Sequence, residues 1–218
     1  MSHPTNDLLL HYVTGGLQAP FAVVIGSHLE LCARCRDETL RLDSVGGNLL
    51  SGLDPVGAPD FGLAATLARL NEPPPPPPAP LPANQDAETV ARLPAALRRY
   101  VKQPLGALPW RNVARGLSVV EFGTIERDGA RVQLLRSRPG QTLPRHRHLG
   151  TELTLVLSGG LQVDQAHYER GAVLTAELGD VHQPVTEPGE DCLSFAVSDG
   201  PVRFTKLVPR LWQIMTGY

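Results

Sequence analysis

Two hydrophobic periods divide the chain. Apolar residues recur every three to four positions from the N-terminus to about residue 70, and every second position from Trp110 onward. These are the spacings of a helix face and a strand face. Thr5 or Asn6 caps a first helix through Leu8-Leu9-Leu10, with Asp7 in the first turn, and Gly15-Gly16 ends it. A second helix opens at Pro20, a residue suited to the first helical position, and runs through Phe21, Val24, Ile25 and His28 to Cys32 and Cys35. The pattern Leu40, Leu42, Val45 predicts a third helix ending at Gly46-Gly47, with Arg36, Asp37, Glu38 and Arg41 on its wet side. Asp60 is placed to cap a fourth through Leu63, Leu67 and Leu70.

Pro73 to Pro78, followed by Ala79-Pro80-Leu81-Pro82, cannot form a helix interior or a central strand and marks a boundary. Such a segment extends by about 3.1 Å per residue and can hold two domains about 30 Å apart. A proline-motif ligand would carry flanking basic residues, which are missing here, so the run is a spacer. The segment from Asp86 to Lys102 is helical in pattern, restarting at Pro94, with Arg98, Arg99 and Lys102 as a solvated basic face. Beyond it, Val119 to Phe122, Val132 to Leu135, Leu153 to Leu157, Leu161 to Val163, Val173-Leu174 and Leu193 to Val197 read as short strands punctuated by Gly and Pro. That spacing predicts a β-sandwich or barrel. The expected organisation is α+β in two domains: an all-α unit over residues 1–72, a linker over 73–85 and a β-barrel over 86–218.

The net charge of −2 carries no basic footprint for direct nucleic-acid binding, and no basic recognition helix is visible. No apolar run reaches the length of a membrane span, and the N-terminus lacks the basic and apolar regions of a signal peptide. Three cysteines, two of them close together, fit a reducing compartment better than a disulfide scaffold. A cytoplasmic location is expected.

The chemistry concentrates in two places. His28, Cys32 and Cys35 are spaced four and three apart, so their ligand atoms converge on one side of a helix and its C-terminal turn. One nitrogen and two sulfurs suit zinc in a closed tetrahedral site. The fourth ligand is His3, with His11 as the alternative. A redox Cys-x-x-Cys pair would sit in a βαβ unit, of which nothing is seen near residue 32. In the β region, His146 and His148 share a strand face, while Glu152 and His182 from later strands close a set of three imidazoles and a carboxylate. Such a set suits zinc, iron, manganese, nickel or copper.

The second half resembles the cupins. Gly140, His146, His148, Glu152 and Gly159 match the first cupin motif, and Gly171, Gly179 and His182 match the second, with Glu177 in place of its usual Pro and Thr186 in place of its Asn. The first half resembles zinc-binding anti-sigma domains, with His3, His28, Cys32 and Cys35 in the four ligand places. Together they resemble the ChrR type of anti-sigma factor. That resemblance implies a helical domain that sequesters an ECF-type sigma factor, and a metal-binding cupin β-barrel (double-stranded β-helix) linked to sensing singlet oxygen or peroxidic products. Zinc is implied for the first site, and zinc or another divalent metal for the second. Cys192 falls where relatives can carry two cysteines, but the second place here is Ser194. The competing reading is a metal-dependent cupin dioxygenase or isomerase with a helical assembly domain.

Overall fold

The computed structural model describes residues 2–57, 62–76, 86–123 and 129–205. Helix α1 (Asn6–Val13) starts at Thr5, whose hydroxyl accepts the Leu8 N–H, and it carries Asp7 in its first turn. A side-chain cap and a carboxylate at that end each offset the unpaired N–H groups of a helix start. Helix α2 (Ala19–Leu31) has Pro20 in its first turn. It is separated from α3 (Ala33–Ser51) by Cys32 alone, whose φ of −125° and ψ of 103° break the helical path. The two cysteines therefore straddle a bend rather than continue one helix.

Helix α3 passes through Gly46 and Gly47, the expected stop, and ends five residues later at Gly52. An interior glycine costs a helix only about 1 kcal/mol, and neither of these takes the left-handed φ of a C-terminal cap. Asn48 to Ser51 thus keep the ladder going. Helix α4 (Leu63–Ala68) and the 3-10 turn Arg69–Asn71 bury none of their residues. Asp60, the expected cap, lies outside the described residues, as does the proline segment from residue 77 to 85.

The expected helix from Asp86 to Lys102 is two short ones, α5 (Ala87–Arg92) and α6 (Ala95–Arg98). Leu93, preceding Pro94, is extended at φ −100° and ψ 127°, the conformation imposed on a residue before proline. Asp86 caps α5 by accepting the Thr89 N–H at 2.9 Å. Leu93, Leu97 and Val101 are buried and Arg98 is half-buried, so only part of this segment is the solvated face expected of it.

Among the described residues twelve strands follow: β1 (Arg111–Ala114), β2 (Leu117–Glu121), β3 (Arg131–Ser137), β4 (His146–His148), β5 (Glu152–Ser158), β6 (Gly160–Val163), β7 (Ala166–Glu169), β8 (Val173–Ala176), β9 (Val181–His182), β10 (Val185–Thr186), β11 (Cys192–Ser198) and β12 (Val202–Phe204). A six-stranded antiparallel sheet has the order β1-β2-β3-β11-β5-β8, and it faces two three-stranded sheets, β10-β6-β7 and β12-β4-β9. Six of the seven residues of β5 and all seven of β11 are buried. A strand buried on both faces needs apolar cover on each side.

The cover on one side is helical. Phe21, Val24, Ile25 and Leu29 of α2, with Leu97 of α6, join Leu134, Leu153, Leu155, Phe195 and Val197 in one hydrophobic core. The opposite face, with Gln133, Thr154, Ser194 and Ala196, looks into the barrel interior. Helix α2 thus shares its core with the barrel.

Candidate metal centres

Ligand atoms of His3, His28, Cys32 and Cys35 all lie within 4.8 Å of one another, and His28, Cys32 and Cys35 are buried. The Nδ1 of His3 stands 3.4 Å from each sulfur. His28 donates its Nδ1–H to the Gly171 carbonyl at 2.7 Å, which fixes the tautomer and leaves the Nε2 lone pair facing the cluster. That Nε2 is buried without a hydrogen-bond partner. A buried polar atom left unpaired is costly unless something takes its lone pair. Burial pushes the His28 and His3 imidazoles below their ordinary pKa, keeping them neutral as metal ligands must be. The Cys35 thiol is pushed up to about 11, by burial first and the Cys32 sulfur next. Two soft sulfurs, two neutral imidazoles and an orphaned nitrogen fit a bound cation. His11, the alternative fourth ligand, is exposed and takes no place in the cluster.

In the barrel, antiparallel β4 and β9 set His146 directly opposite His182, and the alternation of β4 turns His148 to the same side as His146. The Nε2 of His182 lies 3.0 Å from that of His146 and 3.1 Å from that of His148. His146 donates its Nδ1–H to the Pro144 carbonyl at 2.9 Å, which frees its Nε2 for the centre. Burial lowers all three imidazoles, His148 to about 4 and His182 to about 3, with the neighbouring rings adding to the effect on these two. Three neutral nitrogens meeting this closely form a donor set for a cation.

Glu152 is not among the convergent ligand atoms. Its Oε2 is 3.9 Å from the Nδ1 of His148, and its Oε1 accepts the Thr154 hydroxyl at 2.9 Å. Burial raises this carboxyl to about 7 against the opposing pull of Thr154. At about 7 the carboxyl is divided between its two forms near neutral pH, and a cation at the imidazoles would favour the ionised one. Glu152 shares with His146 and His182 the lining of a cavity of about 90 Å³, otherwise mainly apolar, with Leu135, Leu161 and Phe204 in its wall.

The remaining candidates lie elsewhere. Cys192 is buried against Val156 and Leu161, and burial, with Glu187 and Glu190 nearby, pushes its thiol up to about 12. His167 is exposed and pairs with Glu187 at 2.7 Å. Two contributors to the first site were not read from the sequence. They are the Gly171 carbonyl and Glu30, whose carboxylate accepts the Ala95 and Ala96 N–H groups at 2.6 Å each. The only sequence signal for Glu30 is a lone acid between two ligand positions of an apolar helix.

Comparison with known proteins places this architecture. A family profile described as the ChrR cupin-like domain matches residues 100–203. The anti-sigma-E factor ChrR of Cereibacter sphaeroides is 35% identical over 211 residues, covering 97% of this chain and 95% of that protein. The chain belongs to the ChrR family of anti-sigma factors. The crystal structure of Rhodobacter sphaeroides SigE in complex with the anti-sigma ChrR superimposes with a TM-score of 0.75 at 32% identity, covering 91% of this chain and 99% of the matched one. Membership of the ChrR family of anti-sigma factors assigns the chain a regulatory, non-enzymatic role. Among the described residues, no helix is long and apolar enough to cross a membrane.

Proposed function

We propose that the chain sequesters an ECF-type sigma factor with its helical unit, residues 1–72, and releases it under oxidative stress sensed through the barrel, residues 86–218. The observation that carries this reading is the apolar surface of α3 and α4. Leu40, Val45, Leu49, Leu50, Leu53, Leu63, Leu67 and Leu70 are each at least half exposed, and Cys35 alone of the α3 side chains is buried. So many large apolar side chains exposed on and beside two helices form a surface for a partner to cover. Its occupant follows from the family, since ChrR is seen bound to SigE.

The first site is read as zinc, because thiolates with imidazoles select a borderline-soft ion and a four-ligand set leaves no open position. Its part is structural: it ties the root of α3, through Cys35, to α2 and the N-terminus. His146, His148, His182 and Glu152 would hold zinc or another divalent ion in the barrel, where a metal supplies Lewis acidity and a binding position for a small ligand. The chain's own contribution there is a mainly apolar chamber around those ligands. Residues 73–85 act as a spacer.

Co-expression with a candidate sigma factor, followed by pull-down and metal analysis, tests partner and metals together. The expected result is a one-to-one complex with zinc in the helical unit. A chain that captures no ECF-type sigma factor would refute the proposal.

A further inference from the structure

The first metal site is built from two kinds of ligand. Cys32 and Cys35 stand at the bend and in the first turn of α3, an arm whose other side chains are exposed or half-buried. His3 and His28 stand on segments fastened to the barrel. His28 donates to the Gly171 carbonyl at 2.7 Å. The Ser2 carbonyl, one residue before His3, accepts the Val173 N–H at 3.1 Å. Glu30, between His28 and Cys32, accepts the first N–H groups of α6 at 2.6 Å each. Both imidazole-bearing segments thus meet the same barrel turn, two residues apart.

We infer that the barrel turn Gly171–Val173 is the outer shell of the N-terminal metal site, so that the barrel sets how tightly the helical unit keeps its metal. This rests on the reading that the cluster of His3, His28, Cys32 and Cys35 holds a metal. A ligating imidazole is oriented by the partner of its other nitrogen, and loss of such a partner commonly weakens metal binding 10- to 100-fold. Here that partner is a backbone carbonyl 143 residues away in sequence. Gly171 has a φ of +88°, a conformation that side chains resist. Its own N–H donates to the Val156 carbonyl at 2.8 Å, so the turn is pinned to β5 while its carbonyl faces α2. Gly171 is a positioning residue for the site.

The same stretch continues to the other cluster. Beyond the turn, β8 sets Ala176 opposite Glu152. The Gly179 N–H then donates to the His148 carbonyl and the His148 N–H to that of Asp180, both at 2.9 Å. His182 follows two residues later. One continuous segment of chain therefore touches a ligand of each cluster.

The test uses the full-length protein. Zinc affinity of the cysteine site is measured against a competing chelator for the wild type, for Gly171→Ala and for Gly189→Ala. Gly189 also has a positive φ, +114°, but nothing lies within 4 Å of where its Cβ would be, so it reproduces the backbone strain away from the site. The expected result is a 10- to 100-fold weaker site in Gly171→Ala and an unchanged one in Gly189→Ala. Equal affinity in a folded Gly171→Ala protein would overturn the inference.

Should Gly171→Ala fail to fold, nitrogen-15 NMR of the wild-type, zinc-loaded chain decides. A slowly exchanging His28 Nδ1–H with Nε2 on the metal is expected, and coordination through Nδ1 overturns the inference. A wild-type chain whose four-residue cluster binds no zinc at all would instead overturn the metal reading beneath it.

Discussion

At the scale of single residues, protons decide how both clusters behave. The Cys35 thiol, held at about 11 by burial and by Cys32, is protonated at neutral pH and must lose that proton to a metal. Zinc affinity of the first site should therefore rise with pH across the neutral range, with at least one proton released per zinc. Calorimetry in buffers of different ionisation enthalpy measures that release, and a buffer-independent heat would contradict it.

The barrel imidazoles make a second case. In the metal-free protein His148 stays neutral down to about 4 and His182 down to about 3, whereas an unfolded histidine takes its proton near 6.5. Between those values the unfolded chain binds more protons, so stability rises with pH. Glu152 opposes this from its ordinary 4.5 up to about 7, because there the folded carboxyl keeps a proton that the unfolded one has lost. These two imidazoles against one carboxyl, with His3, His28 and His146 lowered in the same direction, leave the unfolded chain at least one proton ahead from pH 4.5 to 6.5. Chelator-treated protein should gain at least about 1.4 kcal/mol per pH unit there. Urea midpoints that stay level across the same range would show that the imidazoles are not buried neutral.

At the scale of elements, α3 separates stability from binding. Leu49 and Leu50 are 71% and 70% exposed, so their replacement removes no core contact. Leu49→Asp with Leu50→Asp should leave the melting temperature within a degree or two of the wild type. It should weaken the sigma-factor complex by ~2 kcal/mol, about 30-fold, if these side chains sit at the centre of the interface. Undiminished affinity in the double variant would move the docking face elsewhere.

What the sequence makes legible divides at this same scale. The longer strands β2, β3, β5 and β11, the shared face of His146 and His148 and the His28-Cys32-Cys35 triplet follow from local period and spacing, whereas β1, β7, β10 and β12 carry too few apolar residues to be read that way. The length of α3 was not legible, because a helix tolerates an interior glycine at a cost of about 1 kcal/mol and local sequence does not say which of Gly46, Gly47 and Gly52 ends it. The bend at Cys32 escaped for a similar reason, since its φ and ψ answer to the packing of α2 on the barrel. The approach of His28 to Gly171 and of Glu30 to α6 depends on tertiary contacts that no local pattern records. Glu152, expected from its spacing to close the histidine set, lies 3.9 Å from His148 but outside the convergent ligand atoms, a distance that no local pattern records.

At the scale of the whole molecule, the shared core sets the terms on which grip and response divide. Val24 and Ile25 of α2 are fully buried within the core that contains β5 and β11. Ile25→Ala should cost 2–5 kcal/mol, the range for large-to-small core changes, and should lower the unfolding of helices and barrel in one transition. A fragment ending near residue 72 should still capture the sigma factor, since every exposed leucine of α3 and α4 remains, but should bind zinc more weakly without Gly171.

Response, by contrast, should depend on the barrel. His146→Ala, His148→Ala, Glu152→Ala or His182→Ala removes a donor from the barrel cluster while leaving α3 and α4 untouched, so inhibition in unstressed cells should persist. Release on exposure to singlet oxygen or an organic hydroperoxide should be blunted, because the segment from Gly171 to His182 is the chain's direct route from that cluster to the helical unit. The rival route is oxidation of Cys32 and Cys35, the other oxidisable ligands. These thiols are buried, and ligation in a closed site would shield them further. A reporter for the sigma factor's target promoter separates the two routes. Full induction in all four barrel variants would shift sensing to the cysteines, whereas weak induction with intact basal repression places it in the barrel.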